Sequence, residues 1–324
     1  MPSEKTRVVI TGASSGIGAA TAIAFAEQGA HIVLGARDRE GLDDVAGRCR
    51  DAGGKAEVEI VDVTDAAAVA AFAARARETL GTIDLWFSDV GIGTVGKYVD
   101  VPIADHARVI ETNLIGHMND AHAVLPIFLA QGRGTWVNMI SVGGFLASPY
   151  AVAYAASKFG LRGFSQALRG EVSKMPHIHI CDVYPTFVDT PGVNHGGNYT
   201  GAKLSYPPGA LAPEKVAKAV VRLARRPRNT TAVGMPAIAM KLSQLATPNL
   251  NSAIMNGFME VWSKRAEPAG DTPGTAFNPP DSPSGVHSGQ FDSSRSSKAA
   301  IVAGAGVGLA AVVALVWHHR SRPR

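Results

Sequence analysis

The amino-acid sequence predicts a single α/β domain built around a doubly wound, parallel β-sheet. Two observations carry this prediction. Short β-branched runs alternate with alanine-rich helical stretches over residues 6–235, and strands separated by helix-length stretches imply βαβ units. The strand-like runs are continuously apolar, as expected for strands that are covered on both faces of a sheet.

The predicted elements follow one another in strict alternation. The strand-like runs are Arg7–Thr11, Ala30–Leu34, Glu57–Val61, Ile83–Phe87, Gly134–Ile140, His177–Val183 and Thr230–Val233. The intervening helical stretches include Ala66–Leu80, Pro102–Leu129, Tyr150–Lys174 and Pro213–Ala224.

Composition excludes several function classes. Hydrophobic residues make up 46% of the 324 residues, which is ample for a buried core. The net charge of +4 is modest, and no basic stripe interleaved with aromatic residues is present, so we expect no nucleic-acid partner. Cys49 and Cys181 are too few and too far apart for a zinc site or a disulfide framework, and we expect no metal.

The first predicted strand runs directly into a glycine-rich loop, Thr11-Gly12-Ala13-Ser14-Ser15-Gly16-Ile17-Gly18. Glycines in such a loop permit a tight turn, let backbone N–H groups approach a pyrophosphate, and allow the next helix to pack closely. An ordinary strand-to-helix turn is the alternative. Because the loop stands between a strand and a helix, dinucleotide binding is the better interpretation.

Arg37 follows shortly after the second strand-like run, nineteen residues beyond Gly18. An acidic residue at this position accepts a hydrogen bond from the ribose 2′-OH of NAD, whereas arginine suits a 2′-phosphate through its planar fork of donors. The alternative is a solvated charge at the start of a helix. We therefore expect NADP(H), with NAD as the less favoured cofactor.

Tyr154 and Lys158 form a Tyr-x-x-x-Lys pair, with Ser141 thirteen residues upstream of the tyrosine. A spacing of four places the two side chains one helical turn apart on one face. A phenol has an ordinary pKa of about 10, and an ammonium group nearby lowers it toward neutrality. Tyr154 is therefore a candidate acid–base group, although such pairs also occur on solvated helices.

The glycine spacing, followed in order by Asn113, Ser141 and Tyr154-x-x-x-Lys158, resembles the short-chain dehydrogenase/reductase superfamily, in its compact oxidoreductase branch. The resemblance covers about residues 6–235. It implies a Rossmann fold, an NADP(H)-dependent oxidoreductase and a homo-oligomer. A dehydratase or epimerase on the same fold is less consistent with the glycine spacing.

The resemblance assigns a role to each matching residue. Tyr154 is the general acid when a carbonyl is reduced and the general base when an alcohol is oxidised, and Lys158 lowers its pKa and binds the nicotinamide ribose. Ser141 donates a hydrogen bond to the substrate oxygen. Asn113 holds a helix distortion and a water that relays protons to Lys158. Singly, Asn113 could equally bond its own backbone, and Ser141 could simply end a strand.

The resemblance also implies a larger set of cofactor contacts. The pair Asp62-Val63 contacts the adenine, and Thr190 bonds the nicotinamide carboxamide; Asp62 could instead cap the helix that follows. The full set is Thr11, Gly12, Ser14, Ser15, Gly16, Ile17, Gly18, Arg37, Asp62, Val63, Gly91, Asn113, Tyr154, Lys158, Pro185, Val188 and Thr190.

The chain departs from the family pattern in two places. The family usually has Asn-Asn-Ala-Gly after the fourth strand, where this chain has Ser88-Asp89-Val90-Gly91, and it prefers glycine at the position of Thr186. Asp89 brings a carboxylate near a cofactor that is itself negatively charged. Cofactor binding then needs a compensating base such as Arg37 or Lys158.

The C-terminal third divides by composition into four segments. Residues 236–265 are expected to be helical, and residues 266–298, of which sixteen of 33 are Pro, Gly or Ser, are expected to be a disordered linker. Residues 299–317 contain no charge and reach about 28 Å as a helix, close to a bilayer core of about 30 Å. They predict a transmembrane helix, the alternative being a soluble alanine-rich helix, and residues 318–324 form a basic tail.

These observations together predict an enzyme that interconverts a carbonyl and a secondary alcohol on a lipophilic small molecule. The run Val142–Leu146 is expected to form a pocket wall, and the loop Phe187–Pro208 is expected to close over the substrate. The predicted anchor places the catalytic domain in the cytoplasm at a membrane. The alternative is a membrane-tethered NADP-binding scaffold without turnover.

Overall fold

The computed structural model describes residues 6–206, 209–234, 248–281 and 285–290. The strands are β1 (Arg7–Thr11), β2 (His31–Ala36), β3 (Lys55–Ile60), β4 (Leu85–Ser88), β5 (Thr94–Gly96), β6 (Gly134–Met139), β7 (Ile178–Pro185), β8 (Gly197–Tyr199) and β9 (Thr230–Val233). The helices are α1 (Gly16–Ala26), α2 (Arg39–Asp51), α3 (Ala66–Leu80), α4 (Ile103–Ile110), α5 (Gly116–Gln131), α6 (Val152–Glu171), α7 (Gly192–His195), α8 (Pro213–Arg225) and α9 (Pro248–Arg265).

Seven of these strands form one sheet in the order β3-β2-β1-β4-β6-β7-β9, and every neighbouring pair is parallel. Strand order reverses between β1 and β4, which opens a crevice at the carboxyl ends of the two strands. The doubly wound parallel sheet is therefore confirmed. Strands β5 and β8 form a separate two-stranded sheet that the sequence analysis does not anticipate.

Helices cover both faces of the sheet, and the five inner strands β1, β2, β4, β6 and β7 each contribute to two apolar clusters. In β1, Val8 and Ile10 belong to the cluster with α1, α2 and α8, whereas Val9 belongs to the cluster with α3 and α5. Alternate side chains of a strand point to opposite faces, so a strand covered on both faces is apolar at every position. This arrangement explains the continuous apolar runs in the sequence.

A buried carboxyl group ties the two central strands to helix α5. Asp120 Oδ2 accepts hydrogen bonds from the Thr11 hydroxyl at 2.5 Å and from the Ser88 hydroxyl at 2.7 Å, and Ser88 in turn accepts one from Trp136 Nε1 at 2.9 Å. Burial raises the pKa of Asp120 to about 6, and the two hydroxyl donors offset part of that rise.

Helices α4 and α5 are one continuous helix interrupted by a π-helical turn, Glu111–Ile115. The predicted helix over Pro102–Leu129 corresponds to these elements. The turn contains Asn113, at the place where the family resemblance implies a distortion. π-Helical turns are rare and occur mostly at functional positions, because they re-aim one side chain within a rigid helix.

The C-terminal third differs from the predicted organisation. Helix α9 lies within the segment for which a helix is expected; residues 235–247 lie outside the described residues. The expectation of a disordered linker over 266–298 is wrong for residues 266–281 and 285–290, which pack against the catalytic domain. Asn198 and Thr272 exchange two backbone hydrogen bonds, and Ala276 and Val286 are buried. Two buried apolar side chains hold a segment whose average composition predicts disorder.

The predicted membrane anchor over 299–317 and the basic tail over 318–324 lie outside the described residues. Within the parts of the chain that the structure describes, no helix combines the length and the apolar character needed to cross a membrane.

We expect the Asp120→Asn variant to change how stability depends on pH. The folded-state pKa of about 6 lies above the ordinary value of this carboxyl, so its stabilising contribution is complete below about pH 4 and is lost as pH rises through 6. Asparagine retains an oxygen that accepts both hydroxyls but does not ionise. Urea unfolding from pH 4 to 7 should show wild type losing roughly 2–3 kcal/mol relative to Asp120→Asn. The exposed Asp281→Asn variant is the charge control, and parallel curves for Asp120→Asn and wild type would contradict this role.

Candidate active site

The glycine-rich loop brings the backbone of β1 into close contact with the end of β4. Gly12 has a φ of +80°, and a Cβ on it would lie 2.8 Å from the Asp89 backbone carbonyl carbon. A Cβ on Gly18 would overlap the Gly12 carbonyl oxygen, so helix α1 packs directly on the loop. Side chains are excluded at both positions, and the N-terminus of α1 faces the crevice with its backbone N–H groups.

A cleft of about 570 Å³ extends from this loop along the carboxyl ends of the strands. Most of the predicted site residues line it. They are Gly12, Ser14, Ser15, Gly16, Ile17, Arg37, Asp62, Val63, Gly91, Ser141, Tyr154, Lys158, Pro185, Val188 and Thr190. Three predicted residues do not line the cleft. The Thr11 side chain is hydrogen-bonded to Asp120, Gly18 packs against the Gly12 backbone, and the Asn113 side chain is hydrogen-bonded to the backbone of Ile92.

Ser141 lies between β6 and a short 3₁₀ turn, Val142–Gly144, in a strained backbone conformation with a φ of +125°. For a residue with a side chain such a φ costs of the order of 1–3 kcal/mol, and strain of this kind concentrates at functional positions. The Ser141 hydroxyl oxygen accepts a hydrogen bond from Gly143 N at 3.1 Å and is also hydrogen-bonded to the Tyr154 hydroxyl. The strained turn therefore aims the serine hydroxyl at the tyrosine.

The structure corrects the predicted ionisation of Tyr154. Burial raises the pKa of this phenol, the hydrogen bond from Ser141 offsets part of the rise, and the nearby Tyr206 and Asp89 add to it. Lys158 Nζ lies 5.6 Å from the centre of the Tyr154 ring and donates to the Met139 carbonyl oxygen at 3.1 Å. The sequence predicts a pKa moved toward neutrality, but burial dominates, so the phenol holds its proton at neutral pH.

Asp89, one of the two departures from the family pattern, carries less charge than the sequence suggests. Burial raises its pKa well above the usual range, although Lys158 and a backbone hydrogen bond from Gly18 act in the opposite direction. Burial likewise lowers the pKa of Lys158 to about 8, with Asp89 acting against that change. The raised pKa favours the neutral form of this carboxyl group, which reduces its repulsion toward a negatively charged cofactor.

Asn113 holds the loop after β4 against the catalytic helix. Its side-chain oxygen accepts from Ile92 N at 2.8 Å, and its side-chain nitrogen donates to Ile92 O at 2.9 Å and to Ser157 Oγ at 3.2 Å. The Ser157 hydroxyl donates in turn to the Tyr154 backbone carbonyl at 2.7 Å. Asn113 thus positions both the wall of the cleft at Gly91–Ile92 and the helix that carries Tyr154 and Lys158.

Arg37 lies at the cofactor end of the cleft, next to a second arginine that the sequence analysis missed. Arg108, on α4, donates to Asp62 Oδ2 at 2.8 Å and to the Thr64 hydroxyl at 2.9 Å. Burial lowers the pKa of Arg37; Asp62 offsets this change, and the positive charge of Arg108 adds to it. Burial alone would raise the pKa of Asp62, but hydrogen bonds from Thr64 and Arg108 lower it overall. Arg108 is therefore paired directly with Asp62, and Arg37 interacts with the same carboxylate only at longer range.

The opposite end of the cleft is apolar. Met255, Met259 and Trp262, one face of helix α9, line it together with Leu146 and Phe187. The predicted wall over Val142–Leu146 is present only in part, because Phe145 is buried and stacks on Tyr184 with ring centres 4.4 Å apart.

The loop between β7 and α8 carries Thr190 to the glycine-rich loop. A Cβ on Gly16 would lie 3.2 Å from the Thr190 Cβ, and the Tyr206 hydroxyl donates to the Thr190 carbonyl oxygen at 2.8 Å. Tyr206, within the loop Phe187–Pro208 that is expected to close over the substrate, therefore fixes the residue assigned to the nicotinamide end.

The residues that sequence reasoning missed share one property, because their roles depend on distant parts of the chain. Arg108 meets Asp62 across 46 positions, and helix α9 meets the cleft only after the whole sheet is complete. The spacing of Met255, Met259 and Trp262 at i, i+4 and i+7 was a visible signal for one apolar helix face. Nothing in Arg108 itself distinguished it from a solvated helix residue.

Comparison with known proteins agrees with this geometry. The family model described as short chain dehydrogenase matches residues 6–197. The uncharacterized oxidoreductase YxnA of Bacillus subtilis is 30% identical over 255 residues, covering 78% of this chain and 72% of the relative. The 3-oxoacyl-(acyl-carrier-protein) reductase FabG of Thermotoga maritima is 33% identical over 183 residues, covering 56% and 74%.

Among solved structures, an alcohol dehydrogenase from Thermococcus sibiricus, complexed with 5-hydroxy-NADP, superposes with a TM-score of 0.62 at 26% identity. The superposition covers 71% of this chain and 96% of the other. The family match spans more than half of the chain and includes the glycine-rich loop, Ser141 and the Tyr154–Lys158 pair. The chain therefore belongs to the short-chain dehydrogenase family of oxidoreductases.

Proposed function

We propose that this protein uses NADP(H) to interconvert a carbonyl and a secondary alcohol on a lipophilic small molecule. One observation carries the proposal. Arg37 and Arg108 converge at the cofactor end of the cleft, and the other end of the cleft is apolar. The names of the FabG and alcohol dehydrogenase relatives denote reactions between carbonyl and alcohol, which supports the reaction class.

The residues of the cleft fit a nicotinamide dinucleotide. The N-terminus of α1, where glycines exclude side chains, suits the pyrophosphate, and Arg37 and Arg108 suit the 2′-phosphate. Val63 and Thr190 both line the cleft, and we assign Val63 to the adenine and Thr190 to the nicotinamide. When bound, the cofactor supplies or accepts the hydride.

In this proposal, Tyr154 exchanges a proton with the substrate oxygen. Because its pKa is raised, the phenol is protonated at neutral pH and ready to donate to a carbonyl oxygen, which favours its use as a general acid in reduction. Ser141 is hydrogen-bonded to the same hydroxyl and donates to the same substrate oxygen as charge develops on it. Lys158 carries a positive charge below about pH 8 and favours the phenolate left after proton transfer.

We expect Tyr154→Phe to lower kcat by at least about 10²-fold, because general acid–base catalysis contributes about 10²–10⁴-fold. NADPH binding should stay within a few-fold of wild type, since only a hydroxyl is removed. The assay is NADPH oxidation against a panel of ketones, aldehydes and acyl thioesters, with cofactor affinity measured by fluorescence. Tyr98→Phe, an exposed tyrosine, is the matched control. Turnover of any panel member at wild-type rate by Tyr154→Phe would remove the assignment.

Arg37→Ala should reduce the preference for NADPH over NADH. Hydrogen bonds to a charged group are worth about 1.5–3 kcal/mol, so the ratio of the NADPH Kd to the NADH Kd should rise about 10–100-fold. The ratio cancels any change that affects both cofactors equally. Arg39→Ala, which removes an exposed arginine paired with Asp43, is the control. An unchanged ratio in Arg37→Ala would contradict NADP selectivity.

The lipophilic character of the substrate rests on the apolar wall formed by Met255, Met259 and Trp262. Methionine side chains adapt to ligands of different shape, so this wall suits an extended or alicyclic apolar group better than a small polar one.

We also propose that the protein is a homo-oligomer. Apolar side chains exposed along α4, the π-helical turn, α5 and α6 support this proposal; they are Ile103, Ile115, Met118, Val152 and Phe159.

We further propose that residues 299–317 anchor the protein to a membrane and leave the catalytic domain in the cytoplasm. The absence of charge over nineteen residues, followed by a basic tail, supports the proposal. A chain ending at Lys298 should move from the membrane pellet to the supernatant while keeping the NADPH affinity of the full chain. Equal partition of the full and shortened chains between pellet and supernatant would contradict the proposed anchor.

A further inference from the structure

A segment that follows helix α9 crosses the cofactor end of the cleft. It comprises residues 272–281 and 285–290, and we call it the strap. Thr275, Pro279 and Pro280 of the strap line the cleft together with the glycine-rich loop. The strap lies beyond residues 6–197, which the family model matches.

The strap places backbone carbonyls on both arginines of the cofactor end. Arg37 donates to the carbonyl oxygens of Thr275 at 2.7 Å, Ala276 at 3.3 Å and Phe277 at 3.1 Å. Arg108 Nε donates to the Ala276 carbonyl oxygen at 2.9 Å. Two guanidinium groups thus converge on one carbonyl oxygen, an arrangement that matches how arginines bind one oxygen of a phosphate.

A second carbonyl of the strap lies at the start of helix α1. The Gly285 carbonyl oxygen accepts a hydrogen bond from Gly16 N at 3.0 Å. The N-terminus of a helix carries partial positive charge and unpaired N–H groups, which is why it binds phosphates. The strap therefore meets both positively charged features that the proposed function assigns to phosphate groups.

The C-terminal end of the strap is held by contacts that involve neither the two arginines nor the N–H groups of α1. Val286 is 6% exposed and belongs to the apolar cluster formed by helices α1 and α8. Ser288 donates from both its backbone N–H and its hydroxyl to the Asp189 carboxylate. Its carbonyl oxygen accepts from Asn194 Nδ2 at 3.2 Å. The strap thus joins the loop that carries Thr190 to the cofactor end of the cleft.

We propose that the strap is an autoinhibitory element whose carbonyl groups compete with the phosphates of NADP(H) for Arg37, Arg108 and the N-terminus of α1. This inference rests on the proposed function. The same N–H groups do not serve a carbonyl and a phosphate at once in these positions, so cofactor binding and strap docking oppose each other. Release of the strap also frees the loop between β7 and α8.

The relative strengths of the competing contacts make the exchange feasible. A charge-assisted hydrogen bond to phosphate is roughly twice as strong as one to a neutral carbonyl, so NADP(H) displaces the strap once it is present at sufficient concentration. The apparent Kd rises by the inverse of the fraction with the strap released. A strap docked in roughly 90–99% of molecules weakens apparent cofactor affinity about 10–100-fold.

The test loosens the fastened end without altering any residue that faces the cofactor. Val286→Asp places a charge in an apolar cluster, and Ser288→Ala removes a hydroxyl from Asp189 with little risk to the fold. Asn278→Ala, at an exposed strap residue, is the control. Fluorescence titration of the full chain should show NADPH and NADH binding about 10-fold more tightly to Val286→Asp and a few-fold more tightly to Ser288→Ala, with Asn278→Ala unchanged.

Hydrogen exchange provides an independent readout. The amide of Thr275 donates to the His195 carbonyl oxygen at 2.9 Å, and the amide of Ser288 donates to Asp189 at 3.2 Å, so both report docking of the strap. NADPH added to wild type should accelerate exchange at both amides. Slower exchange with NADPH, or unchanged affinity in both strap variants, would overturn the inference.

The same titrations separate this inference from the proposed function. If wild type prefers NADH but the strap variants bind NADH more tightly, autoinhibition stands and NADP selectivity fails. If wild type prefers NADPH and the strap variants match wild type, NADP selectivity stands and autoinhibition fails.

Discussion

The close approach of the Gly12 backbone to the end of strand β4 is the constraint on which the site depends. A side chain at Gly12 would meet the Asp89 backbone, and one at Gly18 would meet Gly12 itself. Because both are glycines, β1, β4 and α1 meet at one point where strand order reverses. The contact sets the N-terminus of α1 beside Asp89, and the loop that continues from Asp89 to Ile92 is then held by Asn113.

Burial governs the electrostatics of the site more than any single charged neighbour does. The pKa of Tyr154 and that of Asp89 rise, and that of Lys158 falls to about 8, and in each case desolvation is the largest cause. All three shifts favour the neutral form. The outcome is a protonated phenol beside a serine hydroxyl, together with a carboxyl group whose neutral form is favoured.

The strap is ordered by contacts with the catalytic domain, and its composition alone therefore gives the wrong prediction. Its Pro, Gly and Ser content predicts disorder, because such a sequence buries little apolar surface of its own. Its backbone is instead hydrogen-bonded to the catalytic domain, through Arg37, Arg108 and Asn198, and Ala276 and Val286 are buried. A composition window contains none of these partners. The helical spacing of α9, by contrast, can be recognised in the sequence because it repeats within a few residues.

The sequence by itself determined the parallel sheet, the glycine-rich loop and the Ser141–Tyr154–Lys158 order, because these features arise from local periodicity and from the backbone freedom of particular residues. Only the tertiary structure decided the direction in which the pKa values of Tyr154 and Asp89 shift, since desolvation depends on everything packed around a group. It also decided the partners of Arg37. That arginine lies between β2 and the N-cap of α2, and its hydrogen-bond acceptors lie 238 to 240 positions further along the chain, a separation that no local pattern spans.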